Sequence, residues 1–274
     1  MVRKVGFTTC HAPPEVVMDS KLFALDGRVA LVTGGNGGLG RAIALALRDA
    51  GATVAVTGRD ERKNAAVAAD LGSADAVFPG DVRDESAVSA TMAQVVERFG
   101  RLDILVNNAG NYVGGSVLDL TESGWHAVVD THLTGSFLCA KHAAQVMVSQ
   151  RSGGKIINIG SMYSLFGPPA AIGYAAAKTG IIGLTRALAV ELAEHDIQVN
   201  AILPGWYETD LTRGAPGSEW GERIRHKTPA QRWGDTDDLA GPAVFLASTA
   251  SDFVTGVALP VDGGYAVADR LLPE

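Results

Sequence analysis

The stretch YAAAK, residues 174 to 178, sets a phenol and an ammonium four positions apart among alanines. In a helix, positions i and i+4 share one face, so Tyr174 and Lys178 project together. A free tyrosine ionises near pH ~10, and proton transfer near neutrality asks for a drop of roughly 2 to 3 units, about 3 to 4 kcal/mol. A neighbouring cation favours the phenolate and can supply part of that drop, a bound nicotinamide cation another part. Upstream, the segment NIGS ends on Ser161, whose hydroxyl could hold a carbonyl oxygen while Tyr174 gives up its proton. Together these side chains describe proton transfer at an oxygen on carbon, one half of a carbonyl–alcohol interconversion.

The other half is hydride transfer, and TGGNGGLG at residues 33 to 40 offers a place for its carrier. The turn follows an apolar run and opens a helical pattern, so its glycines would let backbone N–H groups and a helix N-terminus approach a pyrophosphate. Two spacings fit: Gly35, Gly37 and Gly40 of the general dinucleotide fingerprint, or Gly34, Gly38 and Gly40 of T-G-x-x-x-G-x-G, with Asn36 and Leu39 in the same turn. After the second strand, in VAVTGRDE, Gly58 stands where a carboxylate would bond a ribose 2′-hydroxyl. Arg59 follows it, and a cation there favours a 2′-phosphate, so the expected cofactor is NADP with NAD as the alternative. In GDVRD, Asp81 and Val82 are placed to meet the adenine, whereas Asp60 and Asp84 read as helix N-caps.

These groups need a frame, and the chain of 274 residues has 47% hydrophobic and 19% charged residues, enough for one large folded domain. From Arg28 onward, short β-branched runs alternate with stretches of helical period, a βαβ rhythm with seven strand candidates. Continuous apolar strands separated by helices predict an α/β fold: a single-domain, Rossmann-like, doubly wound, seven-stranded parallel sheet with helices on both faces. This domain is expected over residues 25–274, after an N-terminal extension at 1–24. Long helices are expected from about Glu122 to Gln150 and from about Gly173 to Glu194, and the poorly patterned segment 206–234 reads as a substrate lid.

Net charge −7 and a pI near 5.4 disfavour nucleic acid or an anionic membrane as partner and point to a small-molecule substrate. No apolar run reaches the roughly 18 residues of a membrane span, so cytoplasmic residence is expected. Cys10 and Cys139 lie far apart, and His126, His132 and His142 lack zinc-type spacing, so no metal site is expected.

Taken in order, TGGNGGLG, GDV, NNAG at 107 to 110, NIGS, YAAAK, PG at 204 and 205, and VDGG resemble the short-chain dehydrogenase/reductase family from about Leu25 to Tyr265. The resemblance implies that Tyr174 is the general acid/base, that Ser161 orients the substrate, and that Lys178 binds the nicotinamide ribose and lowers the tyrosine pKa. It also implies that Asn107, Asn108, Ala109 and Gly110 line the cofactor site, that Pro204, Gly205 and Thr209 contact its nicotinamide end, and that the protein is a homotetramer. One position departs from the family pattern. Where the family has DVNLTG this chain reads DTHLTG, with His132 in place of an asparagine that helps hold a water beside the lysine. Imidazole can pass a proton, with an unperturbed pKa near ~6.5, or can simply fill the slot as a hydrogen-bonded buried group. As a relay, its exchange for alanine should lower turnover and change the pH dependence.

Within the family, GGKIINIGSMYS, NAILPGWYETDLT and QRWGDTDDLAGPAVFLAS resemble gluconate or deoxygluconate 5-dehydrogenases, and much of that wording also occurs in 3-oxoacyl-carrier-protein reductases. The expected reaction is hydride transfer between a nicotinamide cofactor and a secondary alcohol or ketone, of a sugar acid or a small cyclic ketone. Asn111, Tyr163, Trp206 and Tyr207 are candidates for the pocket wall. Arg223, Arg225, His226 and Lys227 either meet a substrate carboxylate or form a solvated helix face. A dinucleotide-binding sensor without turnover is the competing class, and the presence of Ser161, Tyr174 and Lys178 together argues against it.

Overall fold

A computed structural model describes residues 20–73 and 76–269. Its elements in chain order are β1 (Val29–Thr33), α1 (Gly38–Asp49), β2 (Thr53–Gly58), α2 (Glu61–Leu71), β3 (Val77–Pro79), α3 (Glu85–Phe99) and β4 (Ile104–Asn107). Then come α4 (Glu122–Val129), α5 (Gly135–Gln150), β5 (Gly154–Ile159), α6 (Ile172–Leu192), β6 (Ile197–Pro204), α7 (Glu219–Lys227), α8 (Ala240–Ala247) and β7 (Ala258–Val261). The seven strands are parallel in the order β3-β2-β1-β4-β5-β6-β7. The chain runs outward from β1 to β3 and then crosses back to β4. The strand order therefore reverses between β1 and β4, where the carboxyl ends of the strands leave a cleft.

Every residue of β1, β4, β5 and β6 is buried, which is why these strands read as unbroken apolar runs. Alternate residues feed opposite layers. Leu31, Leu105 and Ile156 pack under α3 and α5 with Met92, Val95 and Met147, while Ala30, Val32 and Ile104 pack under α1 and α8 with Ile43, Leu47 and Leu246. Local signals set the helix starts: the Asp60 carboxylate accepts from Lys63 N–H, and that of Asp84 from Ser86 and Ala87 N–H.

The structure departs from the sequence pattern at two places. The helix expected over 122–150 is divided by a π turn at Asp130–Thr134, so α4 and α5 are separate. Segment 206–234 is not a bare loop: it holds α7, a short 3-10 turn at Asp210–Thr212 and a β-bridge between Tyr207 and Gly234 that closes its base. Three tryptophans hold it together, with ring centroids of Trp206 and Trp220 4.8 Å apart and those of Trp206 and Trp233 5.7 Å apart. Most of the N-terminal extension, with Cys10, lies outside the described residues. Its last part, Ser20–Phe23, is a 3-10 turn that sets Phe23 against Phe245 on α8. Among the described residues no helix is long and apolar enough to cross a membrane.

At the opposite end of the sheet from the cleft, Asp103 is 1% exposed. Its carboxylate accepts from Val29 N–H at 2.8 Å and from Arg101 at 2.6 and 2.7 Å, with Arg28 at 3.3 Å. Removing one partner of such a group leaves buried charge or backbone donors uncompensated. Asp103→Ala should cost about 3 to 5 kcal/mol, read as a lower urea midpoint, while the carboxyl-free isostere Asp103→Asn should cost less.

Candidate active site

The cleft between β1 and β4 is lined on one side by the glycine turn. Gly34 has φ +62°, and a Cβ there would come 2.9 Å from Ala109 Cα; a Cβ on Gly40 would lie 2.2 Å from Asn108 Nδ2 and 2.5 Å from Gly34 O. These are the glycines of the T-G-x-x-x-G-x-G spacing. Gly35 is also packed tight, against Val56 at 2.6 Å, whereas Gly37 has only Lys63 nearby, at 3.7 Å. Gly37 caps α1 with no side chain, so the first N–H groups of that helix stay uncovered, as an anion site requires. Asn108 secures the turn by donating to Thr33 O at 2.9 Å and Gly34 O at 3.1 Å, and Thr33 Oγ1 accepts from the N–H groups of Asn108 and Ala109 at 3.0 Å. This cradle suits a dinucleotide pyrophosphate.

Further along the cleft, a Cβ on Gly58 would lie 2.2 Å from the Asn36 amide, so no carboxylate fits there without displacing Asn36. Asn36 donates to Asn64 Oδ1 at 2.7 Å, and Asn64 in turn to Gly58 O at 3.0 Å. Arg59 is exposed, with only a loose contact of 3.4 Å to Asp81. The carboxylate of Asp81 is held mainly by Arg83, whose hydrogen bonds bring its pKa down to about 2. Val82 turns its side chain into the core against Gly135. Leu39 packs against the α1 side of the core, and Thr209 lies over Gly38, with its methyl 3.8 Å from where a Cβ would be.

Tyr174, Lys178 and Ser161 come together where β5 meets α6. Lys178 is 4% exposed and its Nζ donates to Ile159 O, the last carbonyl of β5, at 2.6 Å. The same Nζ lies 5.6 Å from the centre of the Tyr174 ring, so the two side chains share a face. Ser161 caps the turn after β5 by accepting from Tyr163 N–H. Ser164, which the sequence reading passed over, is buried and donates to Lys178 O at 2.6 Å while accepting from Ser161 N–H at 3.2 Å. It fixes the serine relative to the helix that carries the other two.

The electrostatics differ from the sequence argument. Burial pulls Lys178 down to about 7 and pushes Tyr174 up, with hydrogen bonding to Ser161 acting in the opposite direction on the phenol. Spacing alone gives Lys178 a full charge, whereas desolvation weakens the charged form of both groups. The polypeptide alone does not lower the phenol.

Four aromatic neighbours complete the surroundings of the active hydroxyl and its wall. The rings of His132, Tyr112 and Tyr163 stand edge-on to Tyr174 at 5.2, 5.8 and 6.2 Å, and Trp206 meets Tyr163 at 5.9 Å. Tyr112, half exposed, was not foreseen; its only signal was its place just after NNAG. His132 sits in the π turn, 4% exposed, with Nε2 against the backbone of Asn111 and its ring against Gly110, where a Cβ would lie 2.4 Å from Cε1. Its Nδ1 is buried without a partner.

Other candidates have other tasks. Asn107 is buried and donates to Ser136 O and Asn158 Oδ1, stitching β4 to β5 and α5. Asn111 spends its amide on Ala127 O at 2.8 Å, and Tyr207, 5% exposed, donates its hydroxyl to Val261 O at 2.8 Å inside the core. These bonds anchor both residues to the scaffold, while Asn111 Oδ1 has no hydrogen-bond partner among the described residues and Tyr207 with Trp206 lines a cavity of about 310 Å³. Pro204 ends β6, and Gly205 donates to Val261 O, with Asp262 too close for any side chain. Among the described residues no group of His, Cys, Asp and Glu is arranged to hold a metal ion.

A doubly wound parallel sheet with a glycine cradle and a Ser–Tyr–Lys cluster at its strand ends defines a dinucleotide-dependent oxidoreductase. A family model described as enoyl-(acyl carrier protein) reductase matches residues 34–266, and the chain belongs to the short-chain dehydrogenase/reductase family. It is 40% identical over 245 residues to a 2-dehydro-3-deoxy-D-gluconate 5-dehydrogenase of Escherichia coli K12, covering 89% of this chain and 97% of that one. A 3-oxoacyl-[acyl-carrier-protein] reductase of Vibrio harveyi is 37% identical over 240 residues, covering 88% and 98%. Among solved structures, a gluconate 5-dehydrogenase from Burkholderia cenocepacia J2315 in complex with NADP and tartrate superposes with a TM-score of 0.85 at 38% identity, covering 90% and 98%.

Burial, with the Lys178 charge as the next cause, pushes the His132 pKa down to about 3. The imidazole is then neutral throughout the working range, and its carbon-bound proton should show no titration between pH 5 and 8 by NMR. Because the unfolded chain takes up that proton near pH ~6.5, stability is lost as pH falls from there, by about 1.4 kcal/mol per unit. Relative to His132→Asn, the native protein should therefore lose about 2 kcal/mol between pH 7 and pH 5 in urea titrations.

Proposed function

We propose that the protein is an NADP-dependent dehydrogenase acting on a secondary hydroxyl of a sugar acid or on the corresponding ketone, with Ser161, Tyr174 and Lys178 as its catalytic set. The observation that carries this reading is the meeting of those three side chains beside a cleft whose glycine turn fits a pyrophosphate. Bound NADP would supply the hydride acceptor, or NADPH the donor. Gly34, Gly38 and Gly40 with the α1 N-terminus would hold its pyrophosphate, and Arg59 its 2′-phosphate.

Ser161 and Tyr174 would grip the substrate oxygen from two sides, and Tyr174 passes the proton to or from it. Lys178 donates to Ile159 O and so keeps its ammonium beside the phenol rather than in solvent. The rings of Tyr112, Tyr163 and His132 stand edge-on around the phenol and replace part of its water shell with aromatic surface. A neutral His132, with Nε2 committed to Asn111 and its ring edge-on to Tyr174, acts there without carrying charge. The sugar-acid class rests on the relatives named above. Segment 206–234, tied to α2 by Lys63–Asp210 at 3.0 Å, serves as the lid. Exposed Phe137 on α5 and Val190 on α6 suit the helix faces of a cytoplasmic homotetramer.

Tyr174→Phe should cut kcat about 100-fold or more while NADPH affinity changes little, followed as nicotinamide absorbance against gluconate, a small cyclic ketone and a 3-oxoacyl thioester. Activity surviving in that variant would remove Tyr174 from the chemistry, and preference for the thioester would move the substrate class. Arg59→Ala should lower kcat/KM for NADP by roughly 10- to 100-fold and leave the value for NAD unchanged, as loss of one charged hydrogen-bond partner predicts. Equal losses with both cofactors would show that Arg59 does not read the 2′-phosphate.

A further inference from the structure

The four basic residues near the end of α7 do not share one environment. Arg225 is engaged by Glu222, with Nε at 2.9 Å, and reaches His226 at 3.2 Å, while Arg223 is exposed. Lys227 differs from both. It is half-buried, with Nζ 4.1 Å from the centre of the Tyr265 ring and 5.3 Å from that of Phe166. Those two rings are stacked with centroids 6.1 Å apart. Among the described residues no carboxylate lies within ion-pairing distance of this ammonium.

The rings beneath Lys227 also belong to the wall of the active site. Phe166 meets Tyr163 edge-on at 5.6 Å, and Tyr163 meets both Tyr174 and Trp206. One continuous row of aromatic side chains therefore runs from the catalytic phenol to an ammonium. Ring faces steady a cation without consuming its hydrogens, so its N–H groups remain free to donate. A partly desolvated cation at the end of an apolar wall is favourable ground for an anion.

We infer that Lys227 is the seat of the substrate carboxylate, and that it selects sugar acids over neutral alcohols and ketones of the same size. The inference rests on the oxidoreductase reading given above. Two rings, Tyr163 and Phe166, link Tyr174 to Lys227, so the hydroxyl that reaches Tyr174 is not the one next to a carboxylate held at Lys227.

The test compares native protein, Lys227→Met and Lys227→Arg, each with NADP, on gluconate and on glucitol, which offers the same carbinols without the carboxylate. In Lys227→Met, KM for gluconate should rise about 10-fold or more with kcat within about 3-fold, the mark of lost binding rather than lost chemistry. Its kcat/KM for glucitol should equal the native value, which also reports an intact fold, and Lys227→Arg should restore most of the gluconate affinity. An unchanged KM for gluconate in Lys227→Met, or equal losses on both substrates, would overturn the inference while leaving the oxidoreductase reading in place. Native protein that oxidises glucitol and never gluconate would overturn the sugar-acid reading, and this seat with it. Product analysis showing oxidation at the carbon next to the carboxylate would overturn the inference as well.

Discussion

The active site depends on an amine buried against a strand end. Lys178 reaches from α6 to the final carbonyl of β5, and Ser164 returns the link by donating to the lysine's own backbone. These two bonds hold α6 at a set height over the sheet and so place Tyr174 against Ser161. Burying an amine is costly, and the cost appears as its pKa falling to about 7. A methylene chain of equal length would pack there more cheaply. The site keeps a group that is poised between its charged and neutral forms where a phenol must change its protonation, the arrangement expected of a catalytic base pair rather than of a core.

The scaffold was largely legible because its signals are redundant. The four runs buried along their whole length, β1, β4, β5 and β6, call for a parallel sheet covered by helices on both faces, and the caps at Asp60 and Asp84 mark two of the helix starts directly. The relation of Tyr174 to Lys178 was legible for the same reason, since a four-residue spacing in a helix leaves no freedom of direction. Gly34, Gly38 and Gly40 followed from the turn's position between β1 and α1.

What escaped the sequence was set by contacts that no local pattern records. The π turn at Asp130–Thr134 inserts extra chain without breaking the apolar run, so 122–150 reads as one helix even though the turn is what swings His132 against Tyr174. The anchoring of Asn111 Nδ2 on Ala127 O and of the Tyr207 hydroxyl on Val261 O spans 16 and 54 residues of sequence, which no local pattern records. Spacing also gives charges without their solvation. Burial pulls Lys178 down to about 7, and burial of the phenol itself pushes Tyr174 up against the hydrogen bond from Ser161.

Segment 206–234 gains its meaning from the same kind of long-range contact. Thr209 rests over Gly38 of the glycine turn, and Asp210 pairs with Lys63 on α2. Trp206 lies against Tyr163, and Lys227 covers Phe166 and Tyr265. One stretch of chain thus touches the glycine turn, α2 and the row of aromatic rings beside Tyr174. Its three packed tryptophans bind it into a small unit, because separating any one ring exposes the other two. That packing fixes Trp206 from within the segment, and with it the ring contact that Trp206 makes to Tyr163.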